Sequence, residues 1–288
     1  MRAATGAAVC LVLLSAASSA PGPAATLLRA QTSNESCRAP GSGLSVDHVV
    51  IAVTNLDRST EDFRSLGFTL KPGRLHPNGL LNAHMKFTNG TALELMSIPG
   101  DPTDSVAMAY DTFLRGGDGG AFLAIEADPA RVADAARALD LTVRTTRSGS
   151  FTWVLVDDSR GSADGQLSPV FFVSYSSRPA DPDSLVAHPA GVSGIRSVRL
   201  DATDDLELLL RNLGARDCTS SAEGPAGLEV RLAVSNAELV LHKDPVERRR
   251  AAILEVTLDG TGPDEVARMH RVMLDSSRTH GVTLTIVR

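Results

Sequence analysis

The sequence predicts an α+β fold in which one supersecondary unit, with the order β-α-β-β-β, recurs along the chain. Three observations predict it: strands whose residues alternate between two faces, capped helices after the first strand of each unit, and the return of this order. The four copies open at Ser45, Ala121, Ile195 and Ala252. One copy alone leaves one face of its curved mixed sheet uncovered, so we expect the copies to pair with their helices outside.

The first unit shows every element of this order. Its first strand has Val49 and Ile51 on one face and His48 on the other. Asp57 is predicted to cap the following helix, and Gly67 is predicted to end it, because these residue types favour helix starts and ends. The other strands are expected at 68–70, 82–88 and 91–98, with a two-residue hairpin turn at 89–90.

The later units follow the same order with other residues. Their helices are predicted to start at Asp128 and at Thr203 or Asp204, and the third unit's helix has leucines at helical spacing over 206–213. Their strands are expected at 121–126, 142–146, 151–156, 170–175, 195–200, 228–234, 238–242, 252–258 and 282–287. A fourth helix is expected after Pro263, reaching Met273, and the fourth unit is expected to stop before its last two strands. Residues 99–120 are predicted to be a linker with a short apolar patch.

These elements divide the chain into five stretches. Residues 1–25 are predicted to be a signal peptide and 26–44 an unstructured tail. Residues 45–177 form a first lobe of two units, 178–194 a linker, and 195–288 a second, truncated lobe.

His188, His270 and His280 show no partner pattern and are expected at the surface.

The N-terminal stretch has the features of a secretory signal. A charged Arg2, an apolar run over 7–17 and the small residues at 18–20 occur in the order that such signals require. We therefore expect an exported protein, periplasmic or secreted, with no transmembrane segment after cleavage. Export would permit a disulfide between Cys37 and Cys218, but the sequence leaves open whether they are bonded.

Composition and motifs exclude several classes of function. The formal net charge is −6 and no stripe of Lys and Arg is present, which argues against a nucleic-acid partner. No phosphate loop, dinucleotide fingerprint or nucleophile motif offers a rival chemistry. The expected partner is a small molecule, and the oligomeric state cannot be read from the sequence.

Three stretches of the first unit resemble the vicinal-oxygen-chelate superfamily and, within it, the glyoxalase-like branch. They are the strand 46–53, the segment 73–82 and the strand 93–95. Residues 169–173 and 188–192 are similar to further landmarks of the same branch. The resemblance covers 45–244 and implies two units that close into a bowl around a divalent metal, but it does not choose a reaction, because this fold hosts many.

The resemblance implies roles for two residues of the first unit. His48 on the first strand and Glu94 on the last occupy metal-ligand positions, and they can also serve as catalytic acid and base. An imidazole and a carboxylate suit zinc, iron, nickel or manganese. The matching positions of the second unit fall at Ala121 or Phe122 and near Ser174; alanine and phenylalanine cannot bind a metal, and serine is a poor ligand. A third ligand would have to come from His76 or His84.

The segment 73–82 predicts a ligand pocket. Arg74, His76 and Asn82 are candidate substrate-binding residues, because an imidazole and an amide on a tight loop can hydrogen-bond an oxygenated ligand. Phe172, with its neighbour Phe171, is expected to form the apolar wall from the second unit.

Three functional hypotheses remain open at this point. The first is an exported glyoxalase-like enzyme, a lyase, isomerase or dioxygenase that acts on a small oxygenated molecule. The second is a metal-free protein that binds or sequesters such a molecule. The third is an inert relic of the fold that is retained for contact with a partner.

Overall fold

The computed structural model describes residues 37–157, 169–218, 229–243, 252–261 and 271–288. The described residues belong to one compact unit. In chain order the elements are β1 (Ser45–Ala52), α1 (Leu56–Ser65), β2 (Lys71–Leu75), β3 (Leu81–Lys86), β4 (Ala92–Ser97), α2 (Ser105–Leu114), β5 (Gly119–Glu126), α3 (Pro129–Arg137), β6 (Thr142–Ser148), β7 (Phe151–Asp157), β8 (Val170–Tyr175), α4 (Asp183–Val186), β9 (Val192–Asp201), α5 (Asp204–Asn212), β10 (Arg216–Asp217), β11 (Glu229–Ala233), β12 (Glu238–His242), β13 (Ile253–Gly260), β14 (Arg271–Met273) and β15 (Thr283–Val287).

The strand pairing repeats from unit to unit. In each of the first three units the last strand lies parallel to the first, and the two middle strands follow antiparallel at the outer side. The first strands of units one and two, β1 and β5, pair antiparallel, as do β9 and β13 of units three and four. The two pairs meet where Ile253 lies beside Gly120. The predicted α+β fold with repeated units and curved mixed sheets is therefore confirmed.

Several predicted elements differ from the observed ones. Asn55, not Asp57, caps α1, and its side chain accepts a hydrogen bond from the backbone N–H of Arg58. The predicted linker 99–120 contains helix α2, which begins after the cap Asp104. In the fourth unit β15 lies parallel to β13, so the position of the last strand is filled. The predicted fourth helix falls largely outside the described residues, and Met273 lies in a strand.

The main hydrophobic core lies on the helix side of the sheet. It takes Val49 and Ile51 from β1, Leu93 and Leu95 from β4, and Phe172 from β8. This alternation leaves the other face of the first two units free for a separate arrangement. We call that opposite face, which carries His48, His84 and Glu94, the site face.

The beginning of the described chain is fixed to the third unit. Cys37 forms a disulfide with Cys218, which follows β10, and the backbone N–H of Ala39 donates to the Val234 carbonyl. Leu44 is buried in the main core. The described part of the predicted unstructured tail, residues 37–44, is thus packed. Within the described ranges no helix is long and apolar enough to cross a membrane.

Candidate functional site

The site face combines a polar half and an apolar half. The polar half is built on β1, β3 and β4, whose alternation turns His48, Asn82, His84 and Glu94 away from the main core. The apolar half is a second hydrophobic cluster, and it includes residues of β1, β5 and α2. Tyr110 of α2 packs edge to face on Phe122 at 4.9 Å between ring centroids, so this helix lies on the site face.

His48 lies between two carboxylates. Its Nδ1 is 2.5 Å from Asp47 Oδ1, and its Nε2 is 3.0 Å from Glu94 Oε2. Burial opposes the charged ring, but the hydrogen bonds to Asp47 and Glu94 outweigh it and raise the pKa of His48 to about 9. The ring is therefore an imidazolium at neutral pH, with both of its N–H groups already donated.

Glu94 collects three donors in a buried position. Its Oε1 accepts a hydrogen bond from Asn82 Nδ2 at 2.7 Å and lies 3.1 Å from His84 Nε2. Its Oε2 lies 3.0 Å from His48 Nε2. Burial alone would raise the pKa of Glu94, but the charges and hydrogen bonds of His84 and His48 hold it well below its usual range. The carboxylate is ionised, and it holds both imidazoles in place.

Asp47 connects this group to the second unit. Its Oδ2 accepts from Arg178 Nη1 at 2.6 Å, and its Oδ1 accepts from the Tyr175 hydroxyl at 3.1 Å. Against the effect of burial, His48 and Arg178 lower the pKa of Asp47 to about 2. The guanidinium of Arg178 also donates to the carbonyl oxygen of Gly90. The two units are thus joined by charged hydrogen bonds at the edge of the site.

The segment 73–82 has a different form from the predicted loop. Its first part lies in β2, and a hairpin leads from His76 to β3, where the His76 N–H donates to the Leu80 carbonyl. The side-chain N–H of Asn82 donates a hydrogen bond to Glu94, and the side-chain oxygen of Asn82 accepts one from the backbone N–H of Arg74 at 3.0 Å. Asn82 therefore orients Glu94.

The two other candidates of this segment lie further out. The residue Arg74 is exposed on β2. His76 is partly exposed, and its Nε2 is a buried atom without a hydrogen-bond partner among the described residues. Burial and the charge of Arg74 lower the pKa of His76.

The predicted aromatic wall is displaced by one residue. Phe172 is fully buried in the main core on the far side of the sheet, so its predicted role in substrate binding is wrong. Phe171 instead faces the site, with its ring 5.7 Å from the His48 ring at an interplanar angle of 68°. Successive side chains of a strand point to opposite faces, and this explains the exchange.

Sequence reasoning missed four residues of the site: Asp47, Lys86, Tyr175 and Arg178. Lys86 could have been found from the alternation of β3, because it follows Asn82 and His84 at intervals of two. Asp47 could not have been found in this way, because regular alternation along β1 would place its side chain on the face opposite that of His48. A register shift between Val46 and His48 in the pairing of β1 with β5 marks the irregularity at this point.

The residues do not fit a bound divalent metal as they are arranged. The donors that the fold family implies are directed at one another, since both ring nitrogens of His48 contact carboxylates. Across the strand pair, the second unit places Ala124 opposite His48, and Phe171 follows on β8. In the described part of the chain no group of three or more His, Cys, Asp or Glu side chains is placed to hold a metal ion.

Comparisons with known proteins agree with the fold. A family model described as a glyoxalase-like domain matches residues 46–213. A hypothetical protein from Staphylococcus aureus is similar in structure, with a TM-score of 0.57 and 14% identity over 84% of this chain and 98% of that one. The Mn(II)-bound glyoxalase from Novosphingobium aromaticivorans gives a TM-score of 0.54 and 12% identity, over 84% and 81% of the two chains.

A third structural neighbour is much longer than this protein. It is a xylose isomerase-like TIM barrel/4-hydroxyphenylpyruvate dioxygenase fusion protein, with a TM-score of 0.54 and 12% identity. The match covers 87% of this chain and 49% of the fusion protein. No curated protein sequence matches the chain significantly.

The chain belongs to the glyoxalase-like domain family, because the family model covers more than half of its length. The predicted resemblance is thereby confirmed. Membership is consistent with an enzyme that acts on small molecules, often with a metal, and it leaves the reaction of this chain open.

Proposed function

We propose that this protein is an enzyme that binds a small oxygenated molecule on the site face and transfers a proton at a carbon next to its carbonyl group, as a lyase or an isomerase does. The observation that carries the proposal is the contact of His84 Nε2 with Glu94 Oε1 at 3.1 Å. A buried carboxylate that holds one nitrogen of an imidazole directs the other nitrogen outward as a base.

His84 suits this role better than His48. Both nitrogens of His48 are engaged, whereas the structure shows no partner for His84 Nδ1 within its described ranges. The side chain of His84 is 21% exposed, against 10% for that of His48. A substrate on the site face can therefore reach His84, while His48 acts through Glu94 as a positioning residue.

The proposed step moves one proton between carbon and nitrogen. His84 Nδ1 removes a proton from the carbon next to the carbonyl, and the electron pair of the broken C–H bond moves to the carbonyl oxygen as an enolate. Glu94 stabilises the imidazolium that forms, and Asn82 holds the carboxylate in position. Return of the proton to a carbon completes an isomerisation.

The step needs no metal in this arrangement. Of the reactions in the first hypothesis, we therefore propose lyase or isomerase chemistry carried out by His84 and Glu94. His48 has no role as a metal ligand in this proposal. Binding without chemistry, the second hypothesis, remains the alternative that an experiment has to exclude.

The test is proton exchange in heavy water, followed by NMR. β-Benzoylpropionate is a suitable probe, because it combines a ketone, exchangeable neighbouring protons and an aromatic ring for the apolar half. We expect the protein to accelerate loss of the signal, and His84→Gln to slow the exchange by about 100-fold or more. Glutamine can still donate to Glu94 but cannot accept the proton.

The same experiment separates the alternatives. Metal-stripped protein should exchange the probe as fast as protein with added Mn²⁺. An absolute requirement for Mn²⁺ would restore the metal-dependent hypothesis, and binding without exchange would favour the sequestering protein.

We also propose that the protein is exported and loses its N-terminal segment. The signal-like features of that segment support this, as does the disulfide between Cys37 and Cys218, because disulfides persist mainly in oxidising compartments. Intact-mass measurement on protein from its native host should show a chain that starts between Ala20 and Gln31. A full-length chain with reduced cysteines would contradict the proposal.

A further inference from the structure

We infer that the ligand of the site face carries a carboxylate and that Lys86 binds it. The inference rests on the proposed function, because it assigns a substrate class to the same site. Its basis is an ammonium group on the site face that lacks an ion-pair partner among the described residues.

The position of Lys86 follows from strand β3. Ala83 and Met85 point into the main core, so Asn82, His84 and Lys86 share the site face. Two residues on one strand face are about 7 Å apart, so Lys86 lies beside the proposed base His84 within the length of a small molecule.

Lys86 is partly buried on this face, and the other charges nearby are already paired. Asp47 is engaged by His48 and Arg178, and Glu94 by His48 and His84. Asp181, the next carboxylate outward, accepts Lys71 Nζ at 2.5 Å. Each carboxylate that acts on Lys86 thus has a closer cationic partner of its own.

An unpaired cation at a partly buried position is energetically unfavourable. Burial lowers the pKa of Lys86 in spite of the nearby carboxylates. A ligand anion would compensate for the lost hydration, and this favours anionic over neutral ligands.

A small side chain, that of Ala92, lies between Lys86 and His48 on the site face. Lys86 pairs with Ala92 on β4, and Ala92 pairs with His48 on β1, so a single methyl group separates the ammonium from the His48 row. One free lysine matches the single charge of a carboxylate, whereas phosphate groups usually meet several donors.

The test compares two probes that differ in charge and hardly in shape. Binding of β-benzoylpropionate and of β-benzoylpropionamide is measured by calorimetry on the full-length protein, its Lys86→Gln and Lys86→Arg variants, and Lys243→Gln as a control. Lys243 is a paired lysine that follows β12 in the third unit, where its ammonium contacts Asp204 and Glu207, so its loss leaves the site face unchanged.

We expect the acid to bind at least about tenfold more tightly than the amide. Lys86→Gln should abolish that difference, while Lys86→Arg and Lys243→Gln should retain it. Equal binding of the two probes, no binding of either, or an unchanged preference in Lys86→Gln would overturn the inference. The Lys86→Arg variant keeps the test valid if the glutamine variant folds poorly.

Failure of the proposed function would look different. If the acid binds through Lys86 but its protons do not exchange, the substrate class stands and the catalytic role of His84 falls. If exchange depends on His84 but the amide reacts as well as the acid, the catalytic role of His84 stands and the proposed substrate class falls.

Discussion

The first and third units share one topology but carry different chemistry on equivalent sheet faces. In the first unit a carboxylate, Glu94, lies between two imidazoles. In the third unit the carboxylates are paired with guanidinium groups: Glu238 with Arg231 and Glu229 with Arg199, each at 2.7 Å. The same scaffold thus holds two kinds of buried charge.

The two arrangements differ in whether the ion-pair partner of the carboxylate can release a proton. An imidazole gains and loses a proton near neutral pH, so a carboxylate–imidazole pair can exchange protons with a ligand. Arginine stays protonated in proteins, so its pairs can only bind and stabilise. The repeat therefore supplies the geometry, and the residue that forms the ion pair with the carboxylate determines whether a unit suits the proposed proton transfer.

The largest effect is expected from Glu94→Gln, which would break the first of these two arrangements. It leaves the buried His48 and the partly exposed His84 without their shared anion, so we expect a loss of roughly 3–5 kcal/mol in the free energy of unfolding. Chemical denaturation with parallel proton-exchange assays measures both properties. The exchange of β-benzoylpropionate should fall to the uncatalysed rate.

Glu238→Gln is the matched control in the third unit, because it makes the same substitution at a carboxylate of similar burial. Its exchange rate should equal that of the wild type. A loss of exchange as large as that of Glu94→Gln would show that both substitutions act through the fold alone.

The next effect in size is expected from His84→Gln, which separates the rate of proton exchange from the stability of the fold. We expect exchange to fall by about 100-fold, while the free energy of unfolding changes by less than about 1 kcal/mol, because this side chain is partly exposed. A thermal unfolding curve beside the NMR assay checks both. A large loss of stability would mean that His84 is structural.

Much of this arrangement could be predicted from the sequence. Alternation along β1 and β4 is enough to turn His48 and Glu94 to one face, and the structure brings them to 3.0 Å. Helix caps at Asp128 and Thr203 were correct, because a cap is a local signal. The remaining errors of prediction arise either from the assignment of adjacent residues to strand faces or from contacts between residues that are distant in the sequence.

A shift of one residue accounts for the local error at the site. Phe171 and Phe172 are adjacent aromatics, and nothing in their order says which one faces inward. The structure decides it through the pairing of β8 with β5, where Phe171 lies beside Ala124.

Long-range contacts account for the other errors. His188 was expected at the surface but is buried, because its ring accepts from the Thr69 N–H and contacts the Lys86 carbonyl. These partners are more than a hundred residues away in sequence, so no local pattern could show them. Glu238 and His242 on β12 are likewise buried.

The third prediction uses pH to distinguish the two kinds of charge. His48 has a pKa raised from 6.5 to about 9, so its stabilising contribution is fully present below pH 6.5 and disappears as the pH rises through 9. We expect the advantage of wild type over His48→Gln to shrink by about 3 kcal/mol between pH 6.5 and 10.

Denaturation curves at several pH values measure this advantage. Arg231→Gln provides the contrast from the third unit, because arginine does not titrate in this range. Its difference from wild type should stay constant over the same range of pH. A constant difference for His48→Gln as well would contradict an imidazolium held between Asp47 and Glu94.

The smallest effect is expected from the Arg231–Glu238 pair itself. The Arg231 side chain is 35% exposed, so solvent screens the pair. A double-mutant cycle with Arg231→Gln and Glu238→Gln should give a coupling of about 1 kcal/mol or less. Proton exchange should be unchanged in all three variants, because neither residue lies on the site face. A coupling above about 3 kcal/mol would show that the Arg231–Glu238 pair behaves as a buried ion pair, like the charged group around Glu94. The two units would then differ only in whether their charged groups titrate near neutral pH.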